Sequence, residues 1–439
     1  MPISIPKASK KNSPQRKKRV RKMTSRLVRG MRDITPIFAS EQGIILNALS
    51  KTASFYGCLP TSPAFVEEVK LYTAFDPDAR KKGVMVSKSR TSPTMLRMHM
   101  VPGIARSYLE HPTMRSRNPA SFWYYGDIFQ LPDAVGEDHS NRTQGGVLML
   151  AAPDPVYDAQ TIAIAYKMIE RLGLGPVTVR VNSSGCRTCH KSFTKKLHDK
   201  YSSISASLCT SCRAAYRQNS IIPTLCDDES CKKAKEEFPV LLDNLCASCK
   251  KHFTTTLEYL DEIGIPYMID PFLLRHESYW SRTIFEIYHE QSQQKIVRGG
   301  RMDNLSRLLS GSAIPMVGFD FFADDLISLF SDKQKDSALP KPRVSLIFIG
   351  EQAKRRSLSL MEQFYRSSIP VRELLSRSSL NTKLEIAKAR GAKVVLILGQ
   401  KEVFEDTVLV RTLSTGAQDT VPIDKVIQEV KKRLRSKAR

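Results

Sequence analysis

The chain lacks the long apolar segments that mark membrane-spanning proteins. No stretch of its 439 residues approaches about 18 consecutive apolar residues, the length that a helix needs to cross a bilayer. No apolar segment opens the chain either, so we expect no secretory signal and a cytoplasmic protein. The length is enough for two or three domains. Hydrophobic residues make up 41% and charged residues 26%, which is typical of soluble globular proteins.

Acidic residues are outnumbered by basic ones, and the first 32 residues contain none. The chain has 68 Lys and Arg against 44 Asp and Glu, and twelve of these basic residues precede residue 33. Residues 1–26 also lack aromatic residues and periodicity, so we predict a disordered basic tail. The net charge of +24 indicates a polyanionic partner, most often nucleic acid. A solubilising tail without a partner, a nuclear signal and an organellar presequence remain open alternatives. The candidate RNA-binding residues are Lys10, Lys11, Arg16, Lys17, Lys18, Arg19, Arg21 and Lys22.

Cysteine is almost absent outside one region. Cys58 stands alone and is predicted to be a core thiol, whereas eight cysteines form four close pairs: Cys186/Cys189, Cys209/Cys212, Cys226/Cys231 and Cys246/Cys249. Two thiolates from one turn can hold a tetrahedral ion and a second pair can close the site, so we predict two structural zinc sites. The simplest pairing joins the first two pairs and the last two, but an interleaved pairing is also open.

Other ligands and other cysteine chemistry are conceivable in this region. His190, His198 and His252 are nearby substitutes as zinc ligands. Disulfides are the competing interpretation, but a chain without a secretory signal should stay in a reducing compartment. Redox chemistry at the C-x-x-C pairs is a third, although nothing around them predicts a thioredoxin-like unit.

Hydrophobic patterning predicts an N-terminal body that mixes helices and strands. The alternating segments FWYYGDIFQL and GGVLMLAA predict strands, and residues 267–288 alternate like two antiparallel strands. Helical spacing is found at residues 41–56, 158–172 and 253–263.

A polar linker at residues 331–342 is predicted to separate this body from a compact α/β pattern. Strand-like runs such as VSLIFIG, PVREL, KVVLILG and TVLVRTL alternate there with helical segments, as in a parallel-rich sheet between helices.

Residues 267–305 carry the motif YMIDPFLLRHESYW, then FEIY, then VRGGRMDNL. This stretch, the earlier GMRDITP and the later TGAQDTV resemble the histidyl-tRNA synthetase family. The residues at matching positions are Arg275, Phe285, Glu286, Gly299, Gly300, Arg301 and Asp303. His276, Glu277 and Ser278 instead replace a Gly-Leu-Asp of the family.

The resemblance implies an α+β fold. A class II synthetase-like core with an antiparallel sheet would occupy residues 27–180 and 251–330, with a zinc-ribbon-like insert at 181–250. A C-terminal α/β domain resembling the family's anticodon-binding domain would occupy 343–439. The helix after GMRDITP would form a homodimer, and tRNA or another structured RNA would be the partner.

The resemblance also assigns site positions, and several have changed. Gln130 stands where the family has an arginine for the ATP α-phosphate, and Asp325 where it has an arginine for the terminal phosphates. In the histidine pocket, His99 replaces a carboxylate, Val101 a threonine and Leu148 a glutamate. The positions that the resemblance assigns to substrate binding are Arg97, Gln144, Tyr279, Gly299, Gly300 and Arg301.

Arg275 is retained at a position where the family's arginine takes the catalytic role of a metal ion, with Tyr279 and Trp280 as its partner tyrosine positions. Two hypotheses follow. The first is a catalytically degenerate synthetase-like protein that binds tRNA or regulates a partner, as the synthetase-like regulatory subunit of ATP phosphoribosyltransferase does. The second is an active, divergent histidine–tRNA ligase that uses ATP and Mg²⁺. Four other arginines could compensate for the lost contacts: Arg142, Arg282, Arg298 and Arg307.

Overall fold

In a computed structural model of the protein, the described residues are 27–28, 30–117, 119–131, 139–216, 226, 228–235, 238–275, 277, 279–338, 342–374 and 379–435. Residues 1–26, with the predicted tail and its candidate RNA-binding residues, lie outside this part, as do His276 and Ser278. Two compact units form. Among the described residues, one comprises those up to Thr35 with Ile45–Ser328, and the other comprises Pro36–Ile44 with those from Leu329 onward. Within the described ranges, no helix is both long and apolar enough to cross a membrane.

Eleven strands belong to the first unit. They are β1 Leu59–Pro60, β2 Val66–Glu68, β3 Met85–Ser87, β4 Thr94–Leu96, β5 Ala120–Phe129, β6 Asn141–Leu150, β7 Val177–Ser183, β8 Met268–Ile269, β9 Ser281–His289, β10 Lys295–Arg301 and β11 Met316–Phe322. Eight of them form one sheet in the order β1-β5-β6-β11-β10-β9-β7-β8, and β2-β4-β3 form a small second sheet. Neighbours in the large sheet are antiparallel except at its two ends, where β1/β5 and β7/β8 are parallel.

The helices up to Ser328 are α1 Pro36–Phe55, α2 Val69–Thr73, α3 Ala79–Lys82, α4 Met100–Glu110, α5 Pro112–Arg115, α6 Val156–Leu172, α7 Arg187–Ile204, α8 Thr210–Ala215, α9 Glu229–Lys235, α10 Ala247–Glu262, α11 Asp303–Ser310 and α12 Ala323–Ser328. The three helices predicted from periodicity are confirmed as α1, α6 and α10, each with an earlier start. Helix α6 ends at Gly173, whose φ of 65° is the left-handed conformation that glycine adopts readily at a helix end.

Two expectations about this unit need correction. The two strands predicted in residues 267–288 are present as β8 and β9 and run in opposite directions, but they do not pair with each other, because β7 lies between them, parallel to β8 and antiparallel to β9. The cysteine-rich insert is helical, through α7, α8, α9 and the start of α10, and its described residues contain no strand between β7 and β8. The ribbon-like form expected for the insert is therefore replaced by a helical one, while the α+β class with an antiparallel sheet is confirmed.

The second unit is an α/β body. Its strands are β12 Val344–Phe348, β13 Val371–Glu373, β14 Val394–Leu398, β15 Thr407–Thr412 and β16 Gln418–Pro422. Its helices are α13 Asp332–Ala338, α14 Glu351–Arg366, α15 Leu380–Ala389, α16 Gln400–Phe404 and α17 Val426–Arg435. The strand order is β13-β12-β14-β15-β16. The first three strands are parallel and the last two antiparallel, so the parallel-rich prediction holds for half of the sheet. Helix α13 lies inside the segment predicted as a linker.

Candidate functional site

The eight clustered cysteines form two groups of four. The first group joins Cys186, Cys189, Cys246 and Cys249, and the second joins Cys209, Cys212, Cys226 and Cys231. In each group the four sulfur atoms lie within 4.8 Å of one another. The first pair of the sequence therefore meets the fourth and the second meets the third, so the simplest pairing is wrong.

The spacing of the sulfur atoms fits zinc. A tetrahedral ion with Zn–S bonds of about 2.3 Å needs sulfur atoms about 3.8 Å apart. The Sγ atom of Cys186 lies 3.7 Å from that of Cys189 and 3.9 Å from that of Cys246. In the second group, the Sγ atoms of Cys209 and Cys226 are 4.0 Å apart.

The local structure favours thiolates at these positions. Cys186, Cys209 and Cys246 each occupy the N-cap position of a helix, where the helix dipole stabilises negative charge. Burial acts to raise the pKa of Cys186, but backbone N–H groups of Cys189 and Thr188 donate to its sulfur and lower the pKa to about 6. None of the three nearby histidines belongs to either group among the described residues.

A cavity of ≈ 440 Å³ opens beside the large sheet of the first unit. It contains several of the positions that sequence analysis had singled out: His99, Gln130, Glu277 and Tyr279. Arg298 lines it as well, and Asp76, Asp78 and Lys82 add further charged groups, of which Lys82 and Asp76 form an ion pair at 2.8 Å. The remaining wall comes mainly from Tyr72 and from residues 75–79 before and at the start of α3.

The charged groups around this cavity neutralise one another. Nε of Arg298 lies 3.5 Å from Oδ1 of Asp320, and its Nη1 lies 3.8 Å from Oε1 of Glu277. Nε2 of His99 lies 3.5 Å from Oδ2 of the same Asp320. Burial acts to raise the pKa of Asp320, but the charge of Arg298 and the hydrogen bond from His99 outweigh it and lower the pKa to about 2.

The two glutamines of the site are also engaged by the protein. The side-chain amide of Gln130 donates to the carbonyl oxygen of Met98 at 3.1 Å. Gln144 is fully buried and accepts from the backbone N–H of Met100 at 2.9 Å, while its Nε2 contacts Nε2 of His99 at 2.9 Å. Leu148, four residues further along β6, is buried in the hydrophobic core.

The acidic start of α12 is held by two arginines. Nη2 of Arg142 lies 3.2 Å from Oδ1 of Asp325, and the Arg142 guanidinium stacks 3.7 Å from the ring centre of Phe322. At the adjacent position, Asp324 forms a bidentate ion pair with Arg32. The carboxylate at position 325 is thus balanced from within the chain.

The retained arginines are packed into the protein. Arg275 is buried and forms an ion pair with Glu286, which also accepts from the Tyr288 hydroxyl at 2.6 Å and pairs with Lys295 at 3.2 Å. Burial acts to raise the pKa of Glu286, but Arg275 and Lys295 lower it. Arg97 donates to the carbonyl oxygens of Asp127 at 2.6 Å and Pro63 at 3.0 Å.

The Gly-Gly-Arg segment serves the packing of the sheet. A Cβ atom on Gly299 would lie 2.5 Å from the Phe285 ring and 2.7 Å from the carbonyl oxygen of Gly318, so only glycine fits. Arg301 is 1% exposed and pairs with the fully buried Asp158, while its Nη1 donates to the Ala152 carbonyl at 2.8 Å. These positions hold β10 against its neighbours and do not line the cavity.

Among the four arginines considered as compensation, only Arg298 lines this cavity, and Arg142 pairs with Asp325. Nη1 of Arg282 contacts Nδ1 of His252 at 2.9 Å, and Arg307 lines a different cavity. Sequence reasoning missed Asp320. Its signal was a carboxylate inside the apolar strand segment VGFDFF, where a buried charge requires a partner.

This fold, an antiparallel sheet body with a separate α/β unit, is that of a class II aminoacyl-tRNA synthetase. The family model for histidyl-tRNA synthetase matches residues 30–326, and that for an anticodon-binding domain matches residues 343–433. The chain therefore belongs to the histidyl-tRNA synthetase family.

Relatives and solved structures agree with this assignment. The chain is 30% identical over 347 residues to a histidine–tRNA ligase of Caldicellulosiruptor bescii, covering 77% of this chain and 81% of the relative. It is 26% identical over 418 residues to the histidine–tRNA ligase of Caldanaerobacter subterraneus subsp. tengcongensis, and the match covers 93% of this chain and 100% of the relative. The fold is similar to apo histidyl-tRNA synthetase of S. aureus, with a TM-score of 0.75 and 21% identity over 92% of this chain and 99% of that chain.

Proposed function

We propose that this chain is a catalytically degenerate member of its family that acts by binding tRNA or another structured RNA. The observation that carries the proposal is the internal neutralisation of the site. Positions that in the family would meet ATP and histidine hold groups that other residues of the chain already satisfy. Gln130 donates to Met98 and Asp325 pairs with Arg142. The neighbouring Arg298, which was considered as compensation for the lost arginines, pairs with Asp320 and Glu277.

The energetic consequence is a poor match to the reaction. Activating an amino acid with ATP requires cationic donors aimed at the phosphate charge that develops. A neutral glutamine at position 130 supplies no charge and no bidentate fork. A carboxylate at position 325, about 4 Å from a phosphate, would cost on the order of 4 kcal/mol in a surface-like dielectric if unscreened.

The binding part of the proposal rests on the second unit and on charge. The match to an anticodon-binding domain covers residues 343–433, and this module supports tRNA as the partner. The net charge of +24 favours phosphate contacts that weaken as salt increases. We assign part of them to the basic residues of the 1–26 tail.

The two cysteine groups are proposed to hold structural zinc. The closed four-sulfur geometry leaves no open position for a substrate, so these ions would stabilise the insert at residues 181–250 and do no chemistry. We propose domain limits at 27–180 with 251–330 for the core and 343–439 for the anticodon-binding module, and a homodimer formed through α1.

The alternative is an active, divergent histidine–tRNA ligase. It is favoured by the retention of Arg275 and Gln144 and by the relatives, which are named histidine–tRNA ligases. ATP with Mg²⁺ would then bind beside Gln130 and Asp325, and Arg275 would have to leave Glu286 to reach the phosphate.

Histidine-dependent exchange of pyrophosphate into ATP separates the two functions. We expect the full chain to give no exchange above background while binding tRNA with an affinity that falls steeply between about 50 and 200 mM salt. The S. aureus enzyme serves as the positive control in the same assay. Clear exchange that depends on histidine would overturn the degenerate function and establish the alternative.

A further inference from the structure

A second cavity, of ≈ 390 Å³, lies between the start of α7 in the cysteine-rich insert and helix α11 of the core. Each helix contributes three residues with i, i+3, i+4 spacing, which places them on one helical face. They are Arg187, His190 and Lys191 from α7, and Asn304, Arg307 and Leu308 from α11.

The wall of this cavity is basic and contains no carboxylate. Within the described part of the chain, Arg187, Lys191 and Arg307 form no ion pair. Other cations of the same unit do: Lys167 pairs with Glu170, and Arg106 pairs with Glu67. Three like charges around one concave surface raise the local potential and favour an anion.

Each of the two helices is anchored by buried residues, so the backbone positions of the three cations are well defined. Next to the cavity residues of α11, Leu305 and Ser306 are buried in the core. On α7, Cys189 is buried within the first cysteine group. An anion seated between the helices would therefore contact the insert and the core at once.

We propose that this insert–core cavity binds the phosphodiester backbone of RNA. The inference rests on the RNA binding proposed above and names one place where it occurs. Each of the three cations, Arg187, Lys191 and Arg307, would neutralise one phosphate. Binding at the cavity would not depend on base sequence, because phosphate contacts carry no sequence information. The competing explanation is that these cations merely offset the negative charge of the four thiolates at the first cysteine group.

The test uses the full chain, unfractionated tRNA and a salt series. In the variant R187Q/K191Q/R307Q we expect the slope of log K against log salt to fall in magnitude by about 2 to 3, since each phosphate contact contributes about 0.7 to 0.9. The matched control R80Q/K88Q/R90Q removes three exposed cations that lie outside the cavity, and its slope should change by less than about one.

The possible results separate this inference from the function on which it rests. If the unmodified chain binds no tRNA, both fail. If the unmodified chain binds tRNA and the cavity variant keeps the original salt slope, only the cavity assignment is overturned. Altered zinc retention in that variant would then support the explanation that the cations offset the charge of the cysteine group. Photo-crosslinking of the unmodified chain to 4-thiouridine-containing tRNA gives a readout that needs no variant. Crosslinks in residues 187–191 or 304–308 are expected, and their absence from both segments, with crosslinks elsewhere, would overturn the assignment.

Discussion

Arg298 and Asp320 face each other as direct partners across strands β10 and β11, with Nε and Oδ1 3.5 Å apart. Their backbones are fixed by the sheet, so the pair is held beside the cavity without a ligand. A cross-strand pair of opposite charge stabilises the sheet, and here it keeps both charged groups engaged beside the cavity.

The first prediction concerns the pH dependence of this pair. The pKa of Asp320 is lowered from 3.8 to about 2 in the folded protein, so its contribution is present above pH 3.8 and is lost as the pH falls towards 2. Asp320→Asn should lower the free energy of unfolding by about 2 kcal/mol at pH 7, since one pKa unit corresponds to about 1.4 kcal/mol. The difference from the unmodified protein should shrink below about pH 4, as measured by urea denaturation at several pH values.

Asp243→Asn makes the same change at an exposed position of the insert and serves as the control. Effects of acid that do not involve Asp320 should appear in all three proteins, so the difference between them is the quantity to compare. A constant difference from pH 7 to pH 3 would contradict the depressed pKa.

The second prediction concerns Asp325 and ATP. Removing its charge with Asp325→Asn should strengthen binding of ATP·Mg²⁺ by roughly tenfold, because Arg142 already offsets part of the like-charge repulsion and relief of about 1.4 kcal/mol is a tenfold change in affinity. Binding is measured by isothermal titration or equilibrium dialysis, again with Asp243→Asn as the control. Unchanged affinity in the Asp325 variant would mean that Arg142 already screens the carboxylate fully.

The third prediction distinguishes the two cysteine groups. C246S/C249S and C209S/C212S should each reduce bound zinc from about two ions per chain to about one, as measured by metal analysis. The first pair of substitutions should lower the melting temperature of the core more, because Cys249 shares α10 with the buried His252, which contacts Asp158 at 3.3 Å. Equal effects on the core, or full zinc content in either variant, would argue against this arrangement.

The fourth prediction concerns the buried pair of Arg301 and Asp158. Asp158→Ala leaves the buried Arg301 charge with only the more distant Asp303 carboxylate, at 3.6 Å, so we expect the free energy of unfolding to fall by about 3 kcal/mol. The exposed pair of Lys167 and Glu170 provides the comparison. Glu170→Ala should cost less than about 1 kcal/mol, and a similar small cost for Asp158→Ala would refute a structural role for the Gly-Gly-Arg segment.

The sequence predicted the helices and strands with strong periodicity but not the partners of the strands. Segments such as FWYYGDIFQL alternate, and this local pattern is enough to define β5. The position of β7 between β8 and β9 depends on long-range pairing, which no local pattern reports. The cysteine pairs could likewise be recognised from their local spacing. Which pairs share a site could not, because the meeting of the first pair with the fourth depends on where α7 and α10 begin in space.

The candidate site was predictable in position and less so in chemistry. The resemblance to the family singled out His99, Gln130 and Asp325 as altered positions, and this assignment stays a prediction. What each new side chain contacts was not, because the partners come from distant strands: Asp320 for Arg298, and Arg142 for Asp325. Asp320 could have been singled out only by asking how a carboxylate in an apolar strand would be satisfied.

The first cysteine group also determines the topology of the insert. Cys186 and Cys246 are separated by 60 positions in the chain, yet their sulfur atoms are 3.9 Å apart. An ion bound there would tie the chain into a closed ring, which in the chain-entropy view removes about 4 kcal/mol of loop entropy from the unfolded state. Inside such a ring, residues could be added or removed with little effect on the sheet, because closure cost grows only logarithmically with length. The insert can therefore change its outer surface independently of the body that carries it.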